Sequence, residues 1–318
     1  MEAGKKIAAL DHLRALAITL VFLFHYRLFA HPGWVDTICK FGWTGVDLFF
    51  VLSGYLIAGQ IFKGIQEGDF SLRTFFLKRF FRILPAYWVV VAIYFAIPSA
   101  REWEGLPPLW RFLTFTQNFG LDREFEKTFS HAWSLCVEEH FYLLFPLCAM
   151  LLSSTKARKT AAYIIAGLFV AGFAVRITGW NVFIEPATGT DRFGIEWFKW
   201  IYYPTYNRLD GLLVGISIAG MRQFYPRLKD GIERYANVLL VTGLLLACCA
   251  YFVCIDFISF DVTVWGFPLV AVAYGFMVAS ASSHTSILNR FTSKITTTVA
   301  TLSYSIYLVH KMTIHLAQ

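Results

Sequence analysis

The sequence predicts an all-α protein, a polytopic transmembrane helix bundle with about nine visible spans. Three observations predict it. Of the 318 residues, 57% are hydrophobic, 18% aromatic and only 15% charged, with a mean hydropathy of +0.55, far from the balance of a soluble domain. Apolar runs of about 17 to 25 residues, enough to cross a hydrocarbon layer about 30 Å thick, recur along the chain. The Lys and Arg residues between these runs concentrate on alternate connections, as a positive-inside topology requires.

The first run, 10–30, follows Lys5 and Lys6. That start resembles a signal peptide, but no small-x-small cleavage site follows and the chain keeps spanning, so the span is expected to be retained. Further runs cover 44–62, 83–99, 135–153, 160–178, 198–220, 236–255, 262–281 and 297–316. Pro85 fits the first turn of the third and Ser134 the cap of the fourth. The sixth is polar at its centre, "YYPTYNRLDGLLVG", behind an aromatic belt, "WFKWIYY". With the N-terminus cytoplasmic, sixteen Lys and Arg, among them Lys156, Arg158 and Lys159, fall on inner segments, and ten, among them Arg176 and Lys311, on outer ones. The net charge of +7 is therefore a topology signal and no footprint for nucleic acid.

The longest connection, 100–134, is too short for a separate soluble domain, so residues 1–318 read as one domain. The chain stops at "YLVHKMTIHLAQ" without a polar tail, which leaves the C-terminus outside and reads as a truncation with a further span to come. The aromatics, ten Trp, fifteen Tyr and thirty-two Phe, exceed what a soluble core needs, and many are expected in interfacial belts. Cys39, Cys136, Cys148, Cys248, Cys249 and Cys254 show no C-x-x-C spacing and are expected as buried thiols.

An ionisable side chain at mid-bilayer costs roughly 2.5 to 3.5 kcal/mol on insertion scales, so each must face protein or water. In "LDHLRALAITLVFLFHYRLF" (10–29), Arg14 and His25 fall about 20° apart around a helix and about 16 Å apart along it, on one face. Asp11 lies three residues before Arg14, so Arg14 reads either as an interfacial ion pair or as a functional cation. His25 reads either as a buried imidazole donating to a neighbouring helix or as a proton-transfer group titrating near neutrality. Asp47 precedes Ser53 and Gly54, small residues expected at helix packing. Lys78, Arg79 and Arg82, in "FFLKRFFRILPAYW", are either topology anchors or an anion site whose forks hold phosphate oxygens.

The segment "TFSHAWSLCVEEHFYLLFP" gathers His131, Trp133, Glu138, Glu139 and His140 at the mouth of the fourth span. A helix N-terminus accounts for one carboxylate but not for two with two imidazoles. The spacing matches no metal motif, and no metal is expected. Arg208 and Asp210 read as an intramembrane pair, a functional candidate by default. In "LSYSIYLVHKM", Tyr304, Tyr307 and residue 311 share a helical face, with His310 beside it, either as belt residues or as substrate contacts.

Taken in order, Arg14 with ten residues to His25, "GVDLFFVLSGYLI", "KRFFRILPAYW", "HAWSLCVEEHFYLLFP", "RLDGLLVG" and "LSYSIYLVH" resemble the membrane-bound acyltransferase 3 family, which O-acylates cell-surface glycans. The resemblance covers essentially the whole chain. It implies transfer of an acyl group, commonly acetyl, from cytoplasmic acyl-CoA to a hydroxyl of an extracytoplasmic carbohydrate such as a lipopolysaccharide or exopolysaccharide, in a bacterial cytoplasmic membrane. By the same resemblance His25 and Arg14 match the R-x10-H motif, and Lys78, Arg79 and Arg82 match the basic RRxxR motif associated with the CoA donor. Glu138 matches the Glu of WSLxxExxFY, and Glu139 a more variable position. His12 stands where the family has Gly, Lys78 keeps the charge of an Arg without its fork, nine spans stand against the usual ten, and no SGNH domain is fused.

A sugar hydroxyl attacks a thioester well only when a base removes its proton, and imidazole is suited to that near neutral pH. His25 is accordingly the expected general base, Arg208 and Arg14 are candidates for the oxyanion, and Glu138 completes the expected catalytic set. Asp47, His131, Trp133, Asp210, Tyr304, Tyr307 and His310 are substrate-side candidates. The expected partners are acyl-CoA, a carbohydrate acceptor and the bilayer. The rival from another class is a secondary transporter or flippase with Arg14, His25, Glu138 and Arg208 as an ion relay, against which stands the lack of inverted repeats. A non-catalytic membrane scaffold is the third reading.

Overall fold

The computed structural model describes residues 8–151 and 155–318, with side chains of the second segment described from residue 159. Lys5 and Lys6, and the side chains of Lys156 and Arg158, lie outside the described residues. Among the described residues all regular structure is helical: α1 (Ala8–Tyr26), α2 (Trp34–Cys39), α3 (Gly45–Glu67), α4 (Leu72–Ala96), α5 (Leu109–Leu113), α6 (Trp133–Leu151), α7 (Thr155–Gly179), α8 (Phe193–Trp197), α9 (Asp210–Phe224), α10 (Pro226–Arg234), α11 (Ala236–Val253), α12 (Phe267–Ala281) and α13 (Lys294–Ala317).

Seven stretches among the described residues are long and apolar enough to cross a membrane: Ala8–Tyr26, Trp34–Glu67, Leu72–Ala96, Ser130–Leu151, Lys159–Ala187, Ala236–Val253 and Val262–Ala281. The expectation of nine is thus approximate. One remaining run, 297–316, is the continuous α13, whose Thr, Ser, His and Lys residues make it less apolar. The other, 198–220, is broken. A π-helical turn covers Phe198–Tyr202, the chain turns extended at Pro204 (φ −64°, ψ 134°), a 3-10 turn covers Thr205–Asn207, and α9 begins only at Asp210. Pro204 has no N–H with which to continue the helical ladder. Arg208 therefore lies in a helix break and not inside a span.

Two other local expectations are corrected. The helix carrying Lys78, Arg79 and Arg82 starts at Leu72, where the Ser71 hydroxyl accepts from the Thr74 N–H at 3.3 Å. Its run of Phe, Leu and Ile sustains the helix through the basic residues, so Pro85 sits in the helix interior and not in its first turn. A 3-10 turn, Ser130–Ala132, leads into α6 at Trp133, which puts Ser134 inside the first turn instead of at the cap.

The chain divides into two compact units. The first comprises Met1–Gln60, Gly211–Ile255 and Gly266–Tyr307. At its core is α12, apolar on every side and buried along its length, including Phe267, Val270, Tyr274, Met277 and Val278. Two glycines let α3 and α9 cross at backbone distance: a Cβ on Gly54 would collide with the Leu212 carbonyl, and one on Gly215 with the Val51 carbonyl. Gly54 is thus the packing residue its size implied. Similarly, a Cβ on Gly45 would lie 2.5 Å from the Ala17 carbonyl oxygen, so the start of α3 rests directly on α1.

The second unit comprises Ile61–Asp210, Asp256–Trp265 and Leu308–Gln318. Its interior accounts for aromatics that were expected in belts. Tyr94 stacks on Phe129 with ring centroids 4.5 Å apart, Tyr87 on Phe115 at 4.7 Å, and the fully buried Trp197 on Tyr202 at 5.4 Å. At the end of α4, Arg101 Nε donates to the Tyr94 carbonyl at 2.7 Å and Nη2 to the Phe95 carbonyl at 3.1 Å, satisfying acceptors that the helix leaves open. Cys39, Cys136 and Cys254 are buried as expected, whereas Cys148, Cys248 and Cys249 are exposed on α6 and α11, whose long apolar surfaces need no inward thiol.

Candidate active site

In the first unit, α1 carries the intramembrane polar stripe. Arg14 Nη1 lies 3.8 Å from Asp11 Oδ1, the ion pair that their spacing allowed. The His25 Nδ1 lies 3.0 Å from the Val21 carbonyl oxygen. A carbonyl only accepts, so Nδ1 carries the proton and, in the neutral ring, Nε2 carries the lone pair. That tautomer is the one a general base at Nε2 requires. His12, the residue that departs from Gly, is also committed: Nε2 donates to the Phe291 carbonyl at 2.9 Å and Nδ1 lies 2.7 Å from Thr296 Oγ1 in the first turn of α13. Asp47 is buried near the start of α3. Tyr307 is buried with its ring edge-on to Phe49 at 6.5 Å, and Tyr304 is half-buried.

In the second unit, the basic and acidic motifs meet. The Arg79 guanidinium lies 5.3 Å from the Tyr142 ring centroid and 5.5 Å from that of Phe75, and the Tyr142 hydroxyl donates to Glu138 Oε2 at 3.0 Å. Arg79, Tyr142 and Glu138 thus form one polar cluster within the helices. Lys78 and Arg82, one helical turn apart, are exposed, whereas Arg79 points inward. The three cations differ in setting: two face outward and one is turned toward Tyr142 of α6.

Arg208, 1% exposed, lies 4.8 Å from the Tyr202 ring and 5.4 Å from the Trp133 ring. Asp210 is not its ion-pair partner. The carboxylate is held by Arg176, with Nη1 2.7 Å from Oδ2 and Nη2 3.4 Å from Oδ1. The hydrogen-bonded ion pair of Asp210 is thus with Arg176 and not with the Arg208 that the sequence suggested, because α7 brings a guanidinium to the start of α9. His131 and His310 are both buried, with ring centroids 4.7 Å apart, and His131 Nε2 lies 3.4 Å from the Leu308 carbonyl. His140, next to Glu139, has Nδ1 2.8 Å from Thr205 Oγ1.

Three groups went unnoticed in the sequence. Arg176 read as an outer topology charge, although it lies inside the apolar run "FVAGFAVRITGW". Lys311 read the same way, but Nζ lies 2.8 Å from Glu102 Oε1 with both side chains almost fully buried, and the Phe129 N–H donates to the same oxygen at 3.1 Å. Burial pushes the Glu102 carboxyl up, but the Lys311 ammonium outweighs this and holds it below the usual carboxylate range. Tyr142 is the last letter of the WSLxxExxFY match, but the sequence alone gave it no role. Among the described residues no group of three or more His, Cys, Asp or Glu is arranged to hold a metal ion.

Fold and site define a class: a multi-pass membrane protein, helical among the described residues, with an oriented imidazole on α1 and an Arg79–Tyr142–Glu138 cluster on α4 and α6. The model of a family described as an acyltransferase domain matches residues 7–318, and the chain belongs to that family. It is similar to the peptidoglycan O-acetyltransferase OatA of Listeria monocytogenes, at 28% identity over 96% of this chain and 49% of that protein. It is also similar to the O-acetyltransferase OatA of Staphylococcus aureus, at 27% identity over 98% of this chain and 51% of that protein. The chain spans about half the length of the curated relatives it matches. No solved structure matches it.

Proposed function

We propose that the protein transfers an acetyl group from acetyl-CoA to a hydroxyl of a cell-surface glycan of the peptidoglycan class, from a bacterial cytoplasmic membrane with its N-terminus cytoplasmic. The observation that carries the reading is the His25 tautomer, with Nδ1 committed to the Val21 carbonyl. Nε2 takes the proton of the sugar hydroxyl as its oxygen attacks the thioester carbonyl carbon. The C–S bond then breaks, and the imidazolium returns the proton to the departing CoA thiolate, so no net proton is released. Arg208 supplies positive charge to the oxyanion, and Arg14, paired with Asp11, supports α1. Lys78 and Arg82, being exposed, hold donor phosphates as charges, and Arg79 is held with Tyr142 and Glu138.

The test uses purified protein in liposomes supplied with acetyl-CoA labelled in the acetyl group and soluble peptidoglycan glycan strands. CoA release with label on the glycan, lost in His25→Ala, is the expected result. Thioester left intact while a solute or ion moves would favour the transporter reading.

A further inference from the structure

We infer that Arg176, a residue outside every motif, is the positioning residue that sets the Arg208 guanidinium. The inference rests on the assignment of Arg208 to the oxyanion. Arg176, in the last turn of α7, is almost fully buried, at 1% exposure. Its Nη1 donates to the Asn207 carbonyl at 3.2 Å, and its two Nη atoms take both oxygens of Asp210. One planar fork thus grips the residue just before Arg208 and the residue two after it. Between those grips the backbone is irregular, with Arg208 at φ −121°, ψ 26°. The break is tied at its other end by Asn207 Nδ2, which donates to the Trp200 carbonyl at 2.8 Å.

A buried charge is expensive unless partnered, and the Arg176–Asp210 pair meets that need within itself. Asp210 is thereby committed to Arg176, which holds the fork at both of its grips. Space for the fork is built in: a Cβ on Gly172, one turn back on the same helix, would stand 3.2 Å from Arg176 Nη1. Lys cannot replace this fork, because one ammonium on a flexible stem does not reach a carbonyl and both carboxylate oxygens in a fixed plane.

The experiment uses the full chain in liposomes, with Arg176→Lys, Asp210→Asn and Arg208→Lys. Phenylglyoxal labelling of Arg208, read by mass spectrometry against the exposed Arg227, reports its setting without requiring activity. Labelling is expected about 10-fold faster in Arg176→Lys and Asp210→Asn than in the unaltered protein. In the CoA-release assay both variants are expected to lose about 10- to 100-fold in kcat, the scale of a misplaced catalytic group, with KM for acetyl-CoA changed less than about 3-fold. In an Arg208→Lys background, Arg176→Lys is expected to add little, because the two act as a unit. Unchanged labelling, or the same kcat loss with and without Arg208, overturns the proposal. So does failure of both variants to accumulate in the membrane, which would assign the pair to folding alone. An unaltered protein that releases no CoA would count against the proposed function, and the labelling would still decide the clamp.

Discussion

The Tyr142 hydroxyl donates to Glu138 Oε2 at 3.0 Å while its ring carries the Arg79 guanidinium. One tyrosine therefore joins the acidic motif to the basic one through two different parts of its side chain. Tyr142→Phe keeps the ring and removes the hydroxyl. A lost hydrogen bond to a charged group is worth about 1.5 to 3 kcal/mol, so kcat is expected to fall about 10- to 100-fold. The Arg79 contact, and hence the donor KM, changes little. Initial-rate kinetics with acetyl-CoA in liposomes check the split.

The outward Lys78 and Arg82 and the inward Arg79 separate in kinetics. Lys78→Gln and Arg82→Gln are expected to raise the donor KM a few-fold with kcat kept. Arg79→Gln is expected to lower kcat as well, since it strips the Tyr142–Glu138 cluster of its cation. Equal effects from all three would restore the view of a single phosphate patch.

His25→Ala is expected to abolish transfer, by at least about 10²-fold, with membrane insertion unchanged. His25→Gln offers no titrating nitrogen and is expected to be equally inactive. Near-normal transfer by either variant would remove His25 from the reaction.

Acid should loosen the first unit at Glu233. This carboxylate accepts from Arg222 Nη2 at 2.8 Å and the His284 N–H at 3.0 Å, and from the Ser283 hydroxyl. Burial pushes it up, but the Ser283 and Arg222 bonds outweigh burial and hold it below the usual Glu value. A group depressed in the folded state contributes stability that is present above its unfolded pKa of about 4.3 and lost as pH falls through the folded value. Thermal unfolding in detergent between pH 6 and pH 3, both set by about that window, should show a steeper loss of Tm in the unaltered protein than in Glu233→Gln.

Two glycine substitutions should act in opposite directions. Gly215→Ala drives a Cβ into the Val51 carbonyl and the Tyr55 N–H at the α3–α9 crossing, backbone atoms that cannot swing aside. It is expected to cost about 1 to 3 kcal/mol. At Gly167, in α7, nothing lies within 4 Å of an added Cβ, so Gly167→Ala should gain about 0.5 to 1 kcal/mol from helix propensity. Relative Tm values in one detergent check both.

Much of this was legible in the sequence because membrane insertion penalises charge. Arg14 with Asp11, and His25, stood out against apolar neighbours, and the structure pairs the first two and orients the third. Sequence distance misled where a partner was remote. Asp210 was matched to Arg208, two residues away, although its bond is to Arg176, thirty-four positions back. Lys311 and Arg176 looked like topology charges because charge counting cannot see burial. Helix ends were misplaced for a related reason: hydropathy marks where a lipid-crossing run starts, not where the helix does, so α4 extends upstream through Lys78 and Arg79. The Pro204 break was readable as polarity, but its consequence for Arg208 required the backbone.

The Glu102–Lys311 bond has a consequence for the order of synthesis. Glu102 also fixes the Phe129 N–H, at a residue held in the left-handed region (φ 54°) just before the turn that leads into Trp133. Its countercharge lies more than two hundred positions downstream, so a growing chain carries this carboxylate uncompensated until residue 311 is made. The turn ahead of α6 is therefore expected to gain this countercharge only after α13 has been made as far as residue 311.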